Sequence, residues 1–168
     1  AIALLCGATQ LSAKDYQVSD FGAKADGITL TLVTGYQDAD TRTAAHEAQK
    51  QTYLARHKSE EEASARAAAI LPEADANEHG TGYAADILSA DNPQQDTGFA
   101  ETRAYEWLTA YAAEYGFILR YPQDRQAATG MVFEPWHWRY VGPENAAKIN
   151  ASGLCFEDYI TALQSIAA

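Results

Sequence analysis

From Ile28 to Val33, β-branched and apolar residues alternate, and this period of two predicts a strand ending at Thr34-Gly35-Tyr36. The pattern then changes. Residues 38–57 are rich in Ala, Glu, Gln and Lys and predict a helix with Asp38 or Asp40 as its N-cap. Ser59-Glu60-Glu61-Glu62 has the form of a capping box and starts a second helix, expected to run to about Leu71 and to stop at Pro72. Residues 75–78 read as a loop, and residues 84–88 as a short buried strand carrying Asp86. Ala100, Ala104, Trp107, Leu108, Tyr111 and Tyr115 recur at helical spacing, which predicts one helix over residues 99–115 stopped by Gly116. Strand character returns at residues 117–121, 131–133 and 136–141. Short helices follow from Pro143, with Phe156, Tyr159, Ile160 and Leu163 expected to face inward.

Helices and hairpin-like strands are segregated, without regular βαβ alternation, so the predicted class is α+β. The 168 residues suit one domain with a core that needs no disulfide staples, residues 1–26 being the least defined part. Hydrophobic residues make up 47% of the chain and are spread along it, which excludes a disordered polymer. The formal net charge of −11 argues against nucleic-acid and anionic-lipid partners. No apolar run approaches the ~20 residues of a transmembrane helix, and the apolar opening from Ala1 to Cys6 is too short for a signal peptide. Cys6 and Cys155 stand near opposite ends. They are either two buried thiols or, in an exported protein, one disulfide worth roughly 3–5 kcal/mol in the chain-entropy model.

Two short segments carry candidate chemistry. In the first, His79 and Asp86 are separated by a stretch with glycines at 80 and 82, which permits a tight turn before the chain returns as a strand. In the second, Glu134-Pro135-Trp136-His137, the proline stiffens a turn so that two polar side chains can converge while tryptophans wall them from solvent. A lone histidine usually packs or hydrogen-bonds. Two histidines, an aspartate and a sheltered glutamate together form the donor set of a catalytic zinc site: three ligands, one open position and a carboxylate to accept a proton. Zn²⁺ on His79, Asp86 and His137, with Glu134 as general base, is the reading that follows. His46 and His57 lie on a polar predicted helix, are expected to face water, and receive no role.

These segments, Asn77-Glu78-His79-Gly80-Thr81-Gly82-Tyr83-Ala84-Ala85-Asp86 and Glu134-Pro135-Trp136-His137, resemble the S-x-H-x-x-G-x-A-x-D and E-x-W-H motifs of the D-alanyl-D-alanine carboxypeptidase (VanY-type) family of zinc peptidases. Thr34-Gly35-Tyr36, residues 116–122, Arg139-Tyr140-Val141-Gly142 and residues 153–159 are also similar, so the resemblance extends from about Gly27 to the C-terminus. It implies the same zinc ligands and the same base. It further implies an α+β fold with a small antiparallel sheet flanked by helices, shared with lysostaphin- and hedgehog-type zinc enzymes. The implied substrate is the bacterial peptidoglycan stem peptide, cut before its C-terminal D-alanine by a monomeric enzyme outside the cytoplasm.

Two positions depart from the family pattern. The family usually reads S-G-Y-R-S after the first strand, whereas this chain has Gln37 in place of the arginine, and Arg42 is the nearest candidate to replace it. Asn77 stands where the family has serine. Arg42, Gln37, Asn77, Tyr83 and Trp136 are therefore the candidate substrate contacts. Two other readings share the zinc site: an L,D-carboxypeptidase that trims tetrapeptide stems, and a zinc-containing module that binds cell-wall peptide without cleaving it.

Overall fold

Four antiparallel strands form one sheet in the order β1-β2-β4-β3: β1 Leu30–Thr34, β2 Ala84–Ser89, β3 Phe117–Leu119 and β4 His137–Tyr140. This is a computed structural model, and it describes Ala23, residues 26–71 and residues 77–166. The helices are α1 Ala39–Leu54, α2 Glu60–Ala68, α3 Arg103–Tyr111, α4 Gln126–Thr129, α5 Pro143–Ser152 and α6 Phe156–Ile166. The α+β architecture matches the sequence expectation.

The sheet's pairing decides what its two faces carry. Ala85 faces Trp138 across β2–β4, and Leu119 faces Trp138 across β3–β4. With Ile87 and Phe117 these residues form the apolar face, closed by Phe99, Ala104, Trp107 and Leu108 of the α3 region. One residue out of phase, Asp86 faces His137 directly and Ala84 faces Arg139. The period of two thus puts Asp86, His137 and Arg139 together on the opposite face. There Ile118 packs on Ala146, Ile149 and Tyr159 of α5 and α6.

Local chemistry sets the helix starts. Asp38 accepts a hydrogen bond from Thr41 N, and Ser59 accepts one from Glu62 N, as the capping signals require. Glu62 does not close the reciprocal half of a box; its carboxylate is engaged by Lys58 and Arg66. The second helix is shorter than expected, ending at Ala68, and Pro72 lies outside the described residues.

Several expectations need correction. The single helix over 99–115 is three pieces: a 3₁₀ turn at Thr97–Glu101, α3, and a second 3₁₀ turn at Ala112–Tyr115. Thr102 is extended and accepts from Tyr105 N, so it caps a new helix instead of continuing an old one. Tyr111 turns out at 43% exposure and lies against the Trp107 ring. Residues 131–133 pair with no strand among the described residues. Ile160 and Leu163 are at the surface, because α6 meets the body through Phe156 and Tyr159. His46 does not face water. It is buried, with Nδ1 2.5 Å from the Leu71 carbonyl oxygen, whereas His57 is exposed as expected. Cys155 is buried and its thiol donates to Asp158; Cys6, and with it the disulfide expectation, lies outside the described residues.

Gly116 holds the junction between the second 3₁₀ turn and β3 at φ +85°, and an added Cβ would meet Tyr140 Cε2 at 2.6 Å and the backbone of Gly142 and Pro143 at 3.0 Å. An L-residue pays roughly 1–2 kcal/mol for that conformation alone, and the backbone contact adds to it. Gly116→Ala is expected to lower the unfolding free energy by more than 2 kcal/mol, on the order of that cost plus the clash. Urea denaturation checks it, and an unchanged midpoint would show that the turn relaxes freely.

Candidate metal and catalytic site

The turn before β2 places the first histidine. Asn77 Oδ1 accepts from His79 N at 3.0 Å and so caps the 3₁₀ turn Glu78–Thr81, which Gly82 ends at φ +74°. His79 is thereby fixed at the mouth of β2, and its Nδ1 lies 2.7 Å from the Gly35 carbonyl oxygen. A carbonyl only accepts, so Nδ1 carries the proton and Nε2 is left with its lone pair facing Asp86. The second motif is a tight turn in which His137 N donates to Glu134 O at 3.0 Å. Its geometry brings Glu134 Oε2 within 3.8 Å of His137 Nδ1.

Asp86 Oδ1 is the meeting point. It lies 3.4 Å from His79 Nε2 and 2.9 Å from His137 Nδ1. The two imidazole rings stand at 88° with centroids 4.9 Å apart, and all three donor residues are buried. A tetrahedral ion with ligands about 2.0–2.1 Å away separates its donor atoms by roughly 3.3 Å. The three donors, all within 4.8 Å of one another, fit such an ion. Nitrogen, nitrogen and carboxylate oxygen are the chemistry that Zn²⁺ prefers.

Each donor is held by an outer partner. Gly35 holds His79, and Gln95 Nε2 donates to Asp86 Oδ2 at 2.8 Å, which leaves Oδ1 toward the histidines. His137 is stacked on Tyr121 at 4.9 Å and has Nε2 facing Glu78 Oε2 at 3.5 Å. Burial disfavours the Asp86 carboxylate, yet the adjoining His137 and His79 rings outweigh it and hold the group well below its ordinary range. Burial would likewise lower His137, but Asp86 and Glu78 push it up to about 9. Glu134 differs: burial dominates, and the acid is pushed up to about 7 despite the attraction of His137.

These groups line a cleft of about 620 Å³, within the size range of small-molecule sites. Of the candidate substrate contacts, Arg42, Asn77 and Trp136 line it. Arg42 is buried in its wall; burial pulls its pKa below the ordinary guanidinium value, and the nearby acids Asp86 and Glu134 only partly offset this. Gln37 is one step removed, its Oε1 accepting from Arg42 Nη1 at 3.3 Å. Tyr83 is 43% exposed and is not among the lining residues. Trp138, expected to wall the pocket, points instead into the core on the other sheet face, so Trp136 alone of the pair shields the site.

Sequence reasoning did not single out Glu78, Gln95 or Tyr121. Gln95 and Tyr121 have no spacing that marks them. Glu78 could have been found through Arg120, a charged residue in the apolar run Phe117-Ile118-Leu119, which needs a buried anion.

A family model for D-alanyl-D-alanine carboxypeptidase, VanY, matches residues 12–143, starting earlier than the motif resemblance. A D-alanyl-D-alanine carboxypeptidase of Enterococcus faecalis is 36% identical over 138 residues, 82% of this chain and 50% of its own length. The chain thus spans about half the length of that curated relative. A crystal structure of a vancomycin-resistance D,D-pentapeptidase VanY variant in complex with Zn(II) superposes with a TM-score of 0.75 at 32% identity, covering 88% of this chain and 80% of that one. The LD-carboxypeptidase LdcB gives a TM-score of 0.75 at 30% identity over 86% of this chain and 64% of that one.

Proposed function

This chain belongs to the VanY family of D-alanyl-D-alanine carboxypeptidases, and from that premise we propose that it is a zinc-dependent carboxypeptidase removing the terminal D-alanine from peptidoglycan stem peptides. The observation that carries the reading is Glu134, a buried acid placed 3.8 Å from one histidine of a His–Asp–His donor set, in a cleft whose wall holds a guanidinium. A pure binding module has no use for such a group.

A bound Zn²⁺ supplies Lewis acidity, activating water and polarising the scissile carbonyl. The protein does the rest. Glu134 takes the proton of the attacking water and returns it to the leaving amine; an acid pushed up to about 7 can do both near neutral pH. Arg42 pairs with the terminal carboxylate, and Gln37 orients Arg42 through its side-chain oxygen. Asn77 Nδ2 is buried with no hydrogen-bond partner among the described residues and offers the peptide a donor at the cleft wall. Trp136 limits water access.

The same reading makes residues 1–168 one peptidase domain, acting as a monomer because one chain supplies every group named. It places the protein outside the cytoplasm, where stem peptides are exposed. No helix among the described residues is long and apolar enough to cross a membrane.

The equally good superposition on an LD-carboxypeptidase favours a second reading, in which tetrapeptide stems are trimmed. Incubating the zinc-loaded protein with penta- and tetrapeptide stems, followed by mass spectrometry, separates the two. Loss of one alanine from the pentapeptide supports D,D specificity, and loss from the tetrapeptide supports L,D. Binding of either without turnover would leave the non-catalytic module.

Removing a charge-assisted hydrogen bond costs about 1.5–3 kcal/mol. Arg42→Ala is therefore expected to lower kcat/KM on stem peptides by about ten-fold or more, with zinc content unchanged. Steady-state kinetics checks this, and an undiminished kcat/KM would mean that another group holds the carboxylate.

A further inference from the structure

Glu78 directly precedes one donor histidine and reaches the other. Its Oε2 faces His137 Nε2 at 3.5 Å, while its Oε1 accepts from Arg120 Nε at 2.6 Å and pairs with Arg139 Nη1 at 2.8 Å. The side chain is only 12% exposed. Arg120 and Arg139 are placed by the sheet: Ile118 faces Arg139 across β3–β4, and Arg120 N donates to His137 O. Arg120 is held from behind by both carboxylate oxygens of Glu157 on α6, and its guanidinium lies over the Tyr121 and Phe156 rings.

Orientation of the His137 ring decides what this cluster does. Its Nδ1 faces Asp86 Oδ1 and Glu134 Oε2, the side on which His79 Nε2 also converges. Nδ1 is therefore the atom presented to an ion, and Nε2 carries the proton that donates to Glu78. A salt bridge serving only to staple strands would need no carboxylate oxygen on the histidine.

We propose that Glu78, clamped by Arg120 and Arg139, is a positioning residue that fixes the Nε2–H tautomer of His137 and so tunes the third metal ligand. The 3₁₀ turn ties this carboxylate to His79 as well, so one residue couples both histidines. Glu157 extends the support to α6, outside the cleft.

The proposal rests on the zinc-peptidase reading for its metal, and its test needs no peptide, so the two can fail separately. Zinc affinity of the full chain is measured by competition with a chromophoric chelator, alongside thermal melts and the visible spectrum of the Co²⁺-loaded protein. Glu78→Ala is expected to weaken zinc binding by roughly 10–100-fold, the usual effect of losing an outer partner of a ligand histidine. Glu78→Gln, which keeps an acceptor oxygen but not the charge, should fall between it and wild type. The Co²⁺ bands should shift in the same order. A folded Glu78→Ala protein binding zinc within two-fold of wild type would overturn the assignment. Should that variant not fold, ¹H–¹⁵N spectra of zinc-loaded wild type still decide: His137 must carry its proton on Nε2, and a proton on Nδ1 refutes the proposal.

Discussion

Replacing Glu134 by glutamine should yield a folded protein that retains zinc and turns over stem peptides roughly 10²–10⁴-fold more slowly in kcat, the usual worth of a positioned general base. The amide keeps the shape of the side chain but cannot accept the proton. Glu134 is 4% exposed and faces the donor set without ligating it in the His–Asp–His arrangement, so zinc content should not change. Stability adds a second signature. The acid's folded pKa is raised to about 7 by burial, above its ordinary 4.5, so folding disfavours its ionisation. In chelator-stripped wild type this contribution is unfavourable, grows as pH rises from the unfolded value to about 7, and levels off above it. Glutamine lacks it, so above pH 7 stripped E134Q should melt no lower than stripped wild type. Kinetics at saturating peptide, elemental analysis and thermal melts cover the three statements. Near wild-type turnover in E134Q would falsify the base assignment.

The parts of this molecule that were readable from sequence are those governed by local rules. Asp38 and Ser59 cap the helices whose starts they mark, and the period of two after Ile28 marks β1. The His–Asp–His set was legible because its members sit in two short motifs with turn-forming glycines and proline. Failures arose where tertiary structure chose between locally equal options. Nothing in the spacing of residues 99–115 overrides Thr102, whose hydroxyl restarts the helix. Trp136 and Trp138 look alike in sequence, yet Trp136 sits in the turn before β4 and lines the cleft, while Trp138 lies within β4 and packs in the core. His46 reads as a surface histidine because its partner, the Leu71 carbonyl, comes from the segment just beyond the next helix. The outer shell was the least visible. Glu78 gains its meaning from Arg120, Arg139 and His137, which are distant in sequence and meet only once β3 and β4 pair.

Loss of a donor histidine should be more damaging than loss of the base, because it removes the metal and part of the fold together. His137→Ala deletes a ligand, empties the space beside the Tyr121 ring and leaves Asp86 without one of its two histidine partners. Breaking a buried charged pair by removing one member costs about 3–5 kcal/mol, so chelator-stripped H137A should melt well below stripped wild type. Its zinc affinity should fall by more than the roughly 10–100-fold that an outer partner is worth, and peptidase activity should be lost. His79→Ala should behave alike, since its Nε2 meets the same Asp86 oxygen. His46→Ala provides the contrast: it loses a buried contact to Leu71 and some stability, but keeps zinc. Zinc-to-protein ratios after dialysis, with melts of loaded and stripped protein, distinguish the three variants. Stoichiometric zinc in H137A, or its loss in H46A, would place the metal elsewhere. For wild type, a chelator should abolish activity and lower the melting temperature, and added Zn²⁺ should restore both, because a ligand that binds only the native state stabilises it by mass action.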